Sequence, residues 1–581
     1  MKILLTAINA KYIHSNLAVY SLRAYAEEYR GNIELAEFTI NHQKEYILSE
    51  IYKKKPDVLC FSCYIWNISY VREIAAEFHS LCPDVPIWVG GPEVSYEVED
   101  FLQENPYITG IMVGEGEKIF TGLCRYYCKG QGTFDEIRGI AWRRGGQIVV
   151  NPPETVLDLS SIPFAYEDMK DFQNKIIYYE TSRGCPFRCS YCLSSVDKQL
   201  RFRDLALVKK ELGFFLEQKV PQVKFVDRTF NCKKEHAMAI WQYIKEHDNG
   251  ITNFHFEIAA DLLTEDEIDL LATMRPGLVQ LEIGVQTTND ATIAEIHRHM
   301  DLAQVKRLVE RVKKPHNIHQ HLDLIAGLPY EDFATFARSF DEIYALHPDQ
   351  LQLGFLKVLK GSYMYEHATE YELVYAPLPP YEVRRTKWLS YDEVLQIKQV
   401  EEMLEVYYNS AQFPVSIRLL EEVFDSAFEM FLQLGRYYEE HGYFQMSHSR
   451  NRRMEIFLDF VKQVDGMHLM QYQEAALYDI YSRENAKSRP SFATEDNDTK
   501  KLSRLFCKKG KLSHFECFWY ELPFSEKSTV SRERKKQPYY LYFDYEKRSP
   551  LDHTAAVTRY EESDIEKVRS YGNDKTDKRN S

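Results

Sequence analysis

Short apolar runs alternate with amphipathic stretches of helical period from Ile3 to Val358, and this alternation restricts the fold more than any other feature. Runs at 3–7, 33–38, 58–62, 87–89 and 108–113 are separated by helical patterns such as 17–29 and 68–79. Parallel neighbours need a crossover, so strand–helix–strand succession reads as a parallel sheet. Region 1–150 is therefore expected to be a doubly wound α/β domain, with ligands bound outside the carboxyl ends of its strands. Residues 140–142 and 148–150 flank Gly145-Gly146 as a hairpin, and the proline-rich stretches 151–153 and 162–164 read as a linker. A second series at 176–181, 223–226, 254–259, 278–283, 321–325 and 352–358 makes six βα units over 170–365. That count suits a partial (β/α)6 barrel, whose chemistry sits at the strand carboxyl ends. Past Pro379-Pro380, region 370–550 reads as a mostly helical, aromatic-rich domain with a few strands. Within it, 482–500 is expected as a polar loop, 515–520 and 539–543 as strands, and the basic run 532–536 as a solvated loop. The charged tail 551–581 is expected to be poorly ordered.

Composition narrows the function classes. A net charge of −15 over 581 residues argues against a general nucleic-acid or anionic-membrane surface. No run of 18 apolar residues exists, so no transmembrane helix is expected, and Met1–Thr6 reads as the start of a strand rather than a signal peptide. Eleven cysteines without framework spacing fit a reducing cytoplasm. The pairs Cys60/Cys63 and Cys124/Cys128 read as buried, inert thiols.

Cys185, Cys189 and Cys192 stand apart, spaced C-x3-C-x2-C directly after the apolar run at 176–179. Three thiolates on one loop suit three corners of a [4Fe–4S] cube and leave one iron open to a substrate or cosubstrate. By spacing alone, a zinc site with a fourth ligand from elsewhere and plain free thiols stay open. Glycines at later strand ends, Gly90-Gly91 and Gly114-Glu115-Gly116, let backbone N–H groups approach a ligand closely, though such turns are also ordinary. No G-x-G-x-x-G follows the first strand, which disfavours a nicotinamide or flavin site.

The stretch Thr181-Ser182-Arg183-Gly184-Cys185-Pro186-Phe187-Arg188-Cys189-Ser190-Tyr191-Cys192 resembles the signature of the radical S-adenosylmethionine (SAM) superfamily. Val89-Gly90-Gly91-Pro92 and Gly114-Glu115-Gly116-Glu117, preceding it, resemble the cobalamin-binding domain of B12-dependent radical SAM enzymes. The C-terminal third resembles the uncharacterised domain of one such subgroup. The resemblance implies a [4Fe–4S] cluster on Cys185, Cys189 and Cys192, with the amine and carboxylate of SAM on the fourth iron. It implies reductive SAM cleavage to methionine and a 5′-deoxyadenosyl radical. It also implies cobalamin at Gly90, Gly91, Gly114, Glu115 and Gly116. His14 does not fit the Asp-x-His-x-x-Gly motif of cobalt-ligating proteins and reads as a loop histidine.

Gly284-Val285-Gln286, Arg298, and Asp323-Leu324-Ile325 with Gly327-Leu328-Pro329 resemble the branch containing the oxygen-independent coproporphyrinogen oxidases. SAM contacts would then fall on Tyr191, Glu257, Gln286, Arg298 and Asp323, although buried ion pairs within a barrel would use the same residue types. The cobalamin-like domain, and Ser194 where those oxidases carry a further Cys, disfavour porphyrin decarboxylation. Asp227 and Arg228 read as barrel-top charges, and His316, His319 and His321 as loop histidines. The function expected is methyl transfer to an unactivated carbon of an unknown substrate. A cobalamin-assisted radical reaction without methylation and a redox- or B12-sensing interaction protein are the alternatives. An electron donor such as flavodoxin or ferredoxin is the implied partner, with no membrane; tRNA stays open.

Overall fold

The seven residues Ile3–Asn9 form strand β1, buried along its whole length, as an interior strand of a sheet covered on both faces must be. The computed structural model describes all residues except 197–198, 487, 494–496, 508–510, 525–529 and 568–581. The chain divides into one unit of residues 1–332 with 354–390 and another of 333–353 with 391–581.

In the first unit, β1 is joined by β2 (Ile33–Thr39), β3 (Val58–Ser62), β4 (Ile87–Gly90) and β5 (Gly110–Met112), all parallel. The expected hairpin is present as β6 (Ile140–Arg144) and β7 (Gln147–Val150), and it extends the same sheet in antiparallel sense. The order β2-β1-β3-β4-β5-β6-β7 reverses direction between β1 and β3. A doubly wound sheet opens its ligand crevice at that switch point. Buried Asn67 spans the crevice floor: its Nδ2 donates to the Ile8 carbonyl (3.0 Å) and the Ser62 carbonyl (2.9 Å), and its Oδ1 accepts from Tyr64 N–H (2.8 Å). The helix Gly116–Lys129 follows β5, so residues 114–116 form the turn that delivers it.

The second sheet of this unit holds β8 (Ile177–Tyr179), then β11 (Gln222–Phe225), β12 (Asn253–Ile258), β13 (Val279–Gln286) and β14 (His319–Ala326), in sequence order and all parallel. Between β8 and β11, the short strands β9 (Ser182–Arg183) and β10 (Arg201–Phe202) pair antiparallel. The period of two divides this sheet. Phe225, Phe254, Phe256, Leu281 and Leu322 are fully buried and apolar. Lys224, His255, Glu257, Glu282, His321 and Asp323 share the opposite face through the registers Lys224↔His255, Glu257↔Glu282 and Glu282↔His321. His319 and His321 thus stand on β14 rather than on a loop. The sixth expected strand is Gln350–Phe355; from Gly354 on it belongs to the first unit, where Leu356 N–H donates to the Ala326 carbonyl (2.9 Å).

The second unit is mainly helical, with helices at Phe333–Tyr344, Tyr391–Leu404, Ala427–Glu440, Arg450–Val464 and Leu469–Arg483. Several of its tyrosines are core, as helical spacing predicts: Tyr407, Tyr438, Tyr472 and Tyr481 are buried, and the Tyr407 and Tyr438 hydroxyls bond each other at 2.6 Å. A three-stranded antiparallel sheet, Ser513–Tyr520, Arg534–Arg548 and Ala555–Glu561, completes it. Three expectations need correction. The basic run is not a solvated loop: Arg534 begins a strand and lies over Trp519, and Arg532 pairs with Asp465 at 3.3 Å. The polar stretch 482–500 is not all loop, because Asn497–Phe506 is helical; 487 and 494–496 lie outside the described residues. Within the charged tail, Ala555–Glu561 is held as a strand by a partner of matching register, while 568–581 lie outside the described residues. No helix among the described residues is long and apolar enough to cross a membrane.

Candidate active site

Asp227, just past β11 and fully buried, organises the loop that carries the three cysteines. Its Oδ1 accepts the Thr181 and Ser182 N–H groups, both at 2.7 Å, and its Oδ2 accepts the Thr181 hydroxyl at 2.5 Å. Burial pushes the Asp227 carboxyl up to about 7 despite the three donors, each of which favours the ionised form. His236 Nε2 sits 3.1 Å from the Thr181 hydroxyl; burial, then the Lys233 charge, lowers this imidazole to about 4. Gly184 follows at φ +94°, and a Cβ there would stand 2.7 Å from the Gln199 carbonyl, so the turn into Cys185 requires glycine. Farther along, Ser190 N–H donates to the Ile296 carbonyl (2.9 Å) and Met364 N–H to the Ser190 carbonyl (3.1 Å). The cysteine loop is thus pinned at both ends.

All three cysteines are free thiols. Cys185 Sγ lies 3.7 Å from Thr229 Oγ1, and buried Cys189 Sγ lies 3.8 Å from Arg298 Nη1. Among the described residues, no three His, Cys, Asp or Glu side chains gather closely enough to hold a single ion. In a cluster each thiolate binds a different iron.

The residues expected to contact SAM fall into separate places. Arg298 Nη2 donates to the Gly284 carbonyl, and Nη1 reaches Tyr191 Oη at 3.4 Å, joining this group to the cysteine loop. Gln286 and Arg298 meet over Gly284, where a Cβ would find both side chains within 4 Å. Gln286 holds φ +76°, a strained conformation for a residue other than glycine, and its Oε1 is buried with no hydrogen-bond partner; so is Arg298 Nε. Strain and orphaned buried polar atoms together make this position a candidate for a ligand contact. Asp323 pairs with Gly284 across the sheet, and burial raises its carboxyl; His321 Nε2 lies 2.9 Å away but is misaligned for a hydrogen bond. Glu257 faces elsewhere, into the cavity described next.

A cavity of about 850 Å³ opens between the switch-point crevice and the strand ends of the second sheet, wholly inside the first unit. Gly90, Gly91, Gly114, Glu115, Gly116 and Glu257 line it; Cys185, Cys189, Cys192, Tyr191, Gln286, Arg298 and Asp323 do not. Gly91, at φ +119°, packs so closely that a Cβ would run into the Cys63 carbonyl, whereas the Cβ position of Gly114 is open. Glu115 contributes its backbone rather than a free carboxylate, since it pairs with Arg201 (2.5 Å) and Arg183 (3.4 Å). Burial alone would raise its pKa, but the two guanidinium groups hold it below the usual carboxylate range. Arg183, from the signature stretch, also binds Glu117 (2.9 Å) and Glu180 (2.8 Å), and so ties the cysteine loop to the glycine turn. His14 lines the cavity with its Nδ1 2.6 Å from the Tyr178 hydroxyl, a bonded loop histidine; Tyr64 and Trp66 stack beside it at 4.5 Å. The sequence reading missed Asn67, His236, Arg201 and the anchoring by Asp227. For Asp227 a signal existed: an acid between Phe225-Val226 and Thr229-Phe230 is set for burial.

Comparison with known proteins agrees with this arrangement. Residues 3–124 match the family described as B12 binding domain, 179–343 the Radical SAM superfamily, and 369–555 a protein of unknown function (DUF4080). The cobalamin-dependent radical SAM methyltransferase TokK of Streptomyces tokunonensis is 26% identical over 308 residues, 48% of this chain and 44% of TokK. The chain thus spans less than half the length of that relative. Two solved structures share the fold. The radical SAM methyltransferase TsrM from Kitasatospora setae, with cobalamin and a [4Fe–4S] cluster bound, has TM-score 0.54 and 20% identity, covering 65% of this chain and 80% of TsrM. The cobalamin-dependent radical SAM enzyme OxsB, with aqua-cobalamin and SAM bound, has TM-score 0.60 and 16% identity, covering 85% of this chain and 82% of OxsB.

Proposed function

We propose that this chain, which joins a B12-binding domain and a radical SAM domain to a DUF4080 domain, is a cobalamin-dependent radical SAM enzyme that methylates an unactivated carbon of a small molecule. One observation carries the reading: the cavity beside the three-cysteine loop is also lined by the glycine turns 90–91 and 114–116, which lie within the stretch matched by the B12-binding family. Cys185, Cys189 and Cys192 would hold the [4Fe–4S] cluster. Gln286, Arg298, Asp323 and Tyr191 would receive SAM, and residues 90–91 and 114–116 would receive cobalamin. Bound there, the cofactors supply the electron for SAM cleavage and the carrier for the methyl group.

The chain's own residues do the positioning. Asp227 fixes the backbone that leads into the cysteine loop, and Gln286 offers a buried acceptor without a partner among the described residues. Arg183 ties the cysteine loop to the glycine turn through Glu115 and Glu117. A flavodoxin- or ferredoxin-type donor would deliver the electron.

The test is anaerobic purification with cobalamin supplied, followed by iron, sulfide and corrinoid quantification and turnover with SAM carrying a deuterated methyl group. One cluster and one corrinoid per chain, with label moving to a product, is the expected result. A cluster without corrinoid would sink methyl transfer. Cofactor loading and SAM cleavage without methyl movement would favour the radical reaction without methylation.

A further inference from the structure

The cavity wall carries several charged side chains, and nearly all are matched. Arg183 is satisfied by Glu117 and Glu180, Glu115 by Arg201, Arg203 by Glu211 at 2.6 Å, and Lys224 by Glu282 at 2.9 Å. Two remain. Arg228 and Glu257 both line the cavity, and neither side chain makes a hydrogen bond or ion pair among the described residues. They stand at the ends of neighbouring strands, close enough that the Arg228 charge acts on the Glu257 carboxyl.

Resting on the proposed function, we infer that Arg228 is the anchor for an anionic group, a carboxylate or a phosphate, on the substrate, and that Glu257 receives a donor from the same molecule. Three observations support this. First, the position is built rather than incidental: Asp227, the preceding residue, is fully buried and bonded to the cysteine loop, so the backbone under Arg228 is fixed. Second, the next residue, Thr229, touches Cys185 Sγ at 3.7 Å, so Arg228 stands where the cavity meets the cysteine loop. Third, the guanidinium is unpartnered among the described residues, and the anions of the proposed cofactors are separable from it. The carboxylate of SAM is expected on the open iron. The edge of a corrin ring carries neutral amides, and a contact to the phosphodiester of cobalamin's nucleotide loop would show as loss of corrinoid in Arg228→Gln. An exposed guanidinium with its fork unused fits a planar carboxylate or a phosphate, bidentate in either case.

The test compares full-length wild type, Arg228→Gln and Arg228→Lys, each reconstituted with iron, sulfide and cobalamin. Iron and corrinoid content and SAM affinity are measured first, then thermal stabilisation by sodium phosphate and sodium acetate against sodium chloride of equal ionic strength. Saturable stabilisation by phosphate or acetate in wild type, lost in Arg228→Gln and partly kept in Arg228→Lys, is the expected result. The tighter anion identifies the group. Equal responses in wild type and Arg228→Gln would overturn the inference. So would loss of corrinoid or a fall in SAM affinity in Arg228→Gln, because Arg228 would then belong to a cofactor. Wild type that takes up no corrinoid fails the proposed function instead, and that outcome is read before any anion is added.

Discussion

Replacing Asp227 by alanine tests whether the cysteine loop is held from below. The carboxylate accepts three donors, but they are not equivalent. The Thr181 hydroxyl can turn to His236 Nε2, 3.1 Å away and kept neutral by burial, so its loss is small. The Thr181 and Ser182 N–H groups have no such alternative and would be buried without an acceptor. At about 1–3 kcal/mol for each orphaned buried group, Asp227→Ala should cost roughly 2–6 kcal/mol. Asp227→Asn is the control. Both N–H groups bond Oδ1, which an amide oxygen replaces, so its cost should be about 1 kcal/mol or less, the lost charge assistance being offset by relief of a buried charge. Hydrogen exchange of peptides covering 177–192, with iron content after anaerobic reconstitution, gives the local readout. Asp227→Ala should exchange faster and retain less iron, with Asp227→Asn near wild type. Unchanged protection and iron in Asp227→Ala would refute the idea that this carboxylate positions the loop.

Three further outcomes are expected. Cys185→Ser, Cys189→Ser and Cys192→Ser should each lose the visible absorbance of the cluster after reconstitution while keeping wild-type circular dichroism; cluster retention in any one removes that residue from the ligand set. Asn67→Ala should lower corrinoid content more than iron content, because it unpins the ends of β1 and β3 and leaves the cysteine loop untouched; equal losses of both would count against a crevice-specific role. Glu474, in the second unit, accepts the Trp519 and Tyr520 N–H groups at 2.9 Å, and burial raises its carboxyl from 4.5 to about 7. The folded chain therefore keeps a proton that the unfolded chain releases. This contribution is complete below pH about 4.5 and is lost as pH rises through about 7. Glu474→Gln should gain stability relative to wild type between pH 5 and pH 8 in denaturant titrations, and a constant difference would contradict the sign.

What could be read from the sequence was whatever a local pattern controls. Alternation of apolar runs located the strands of both sheets, and the cysteine spacing with its flanks located the loop, because period and turn chemistry act over a few residues. Partners distant in sequence could not be read this way. Asn67 reaches back 59 residues to Ile8, Asp227 reaches 46 to Thr181, and Arg183 reaches 66 to Glu117. The strand Ala555–Glu561 has strand formers in Val557, Thr558 and Tyr560, but the charged stretches around it hid them, and its register is set by the neighbouring strand.

Glu257 shows the limit most clearly. Its place near a strand end grouped it with Gln286, Arg298 and Asp323, but spacing along a strand does not say which volume a side chain enters. Gln286 turns at φ +76° to meet Arg298 over Gly284, while Glu257 opens into the cavity beside Arg228. If Glu257 served SAM alone, Glu257→Gln should lower SAM affinity and leave the anion response of the cavity unchanged. If it serves the substrate, SAM affinity should hold in that variant. The phosphate or acetate response should then strengthen, because a negative charge beside Arg228 has been removed.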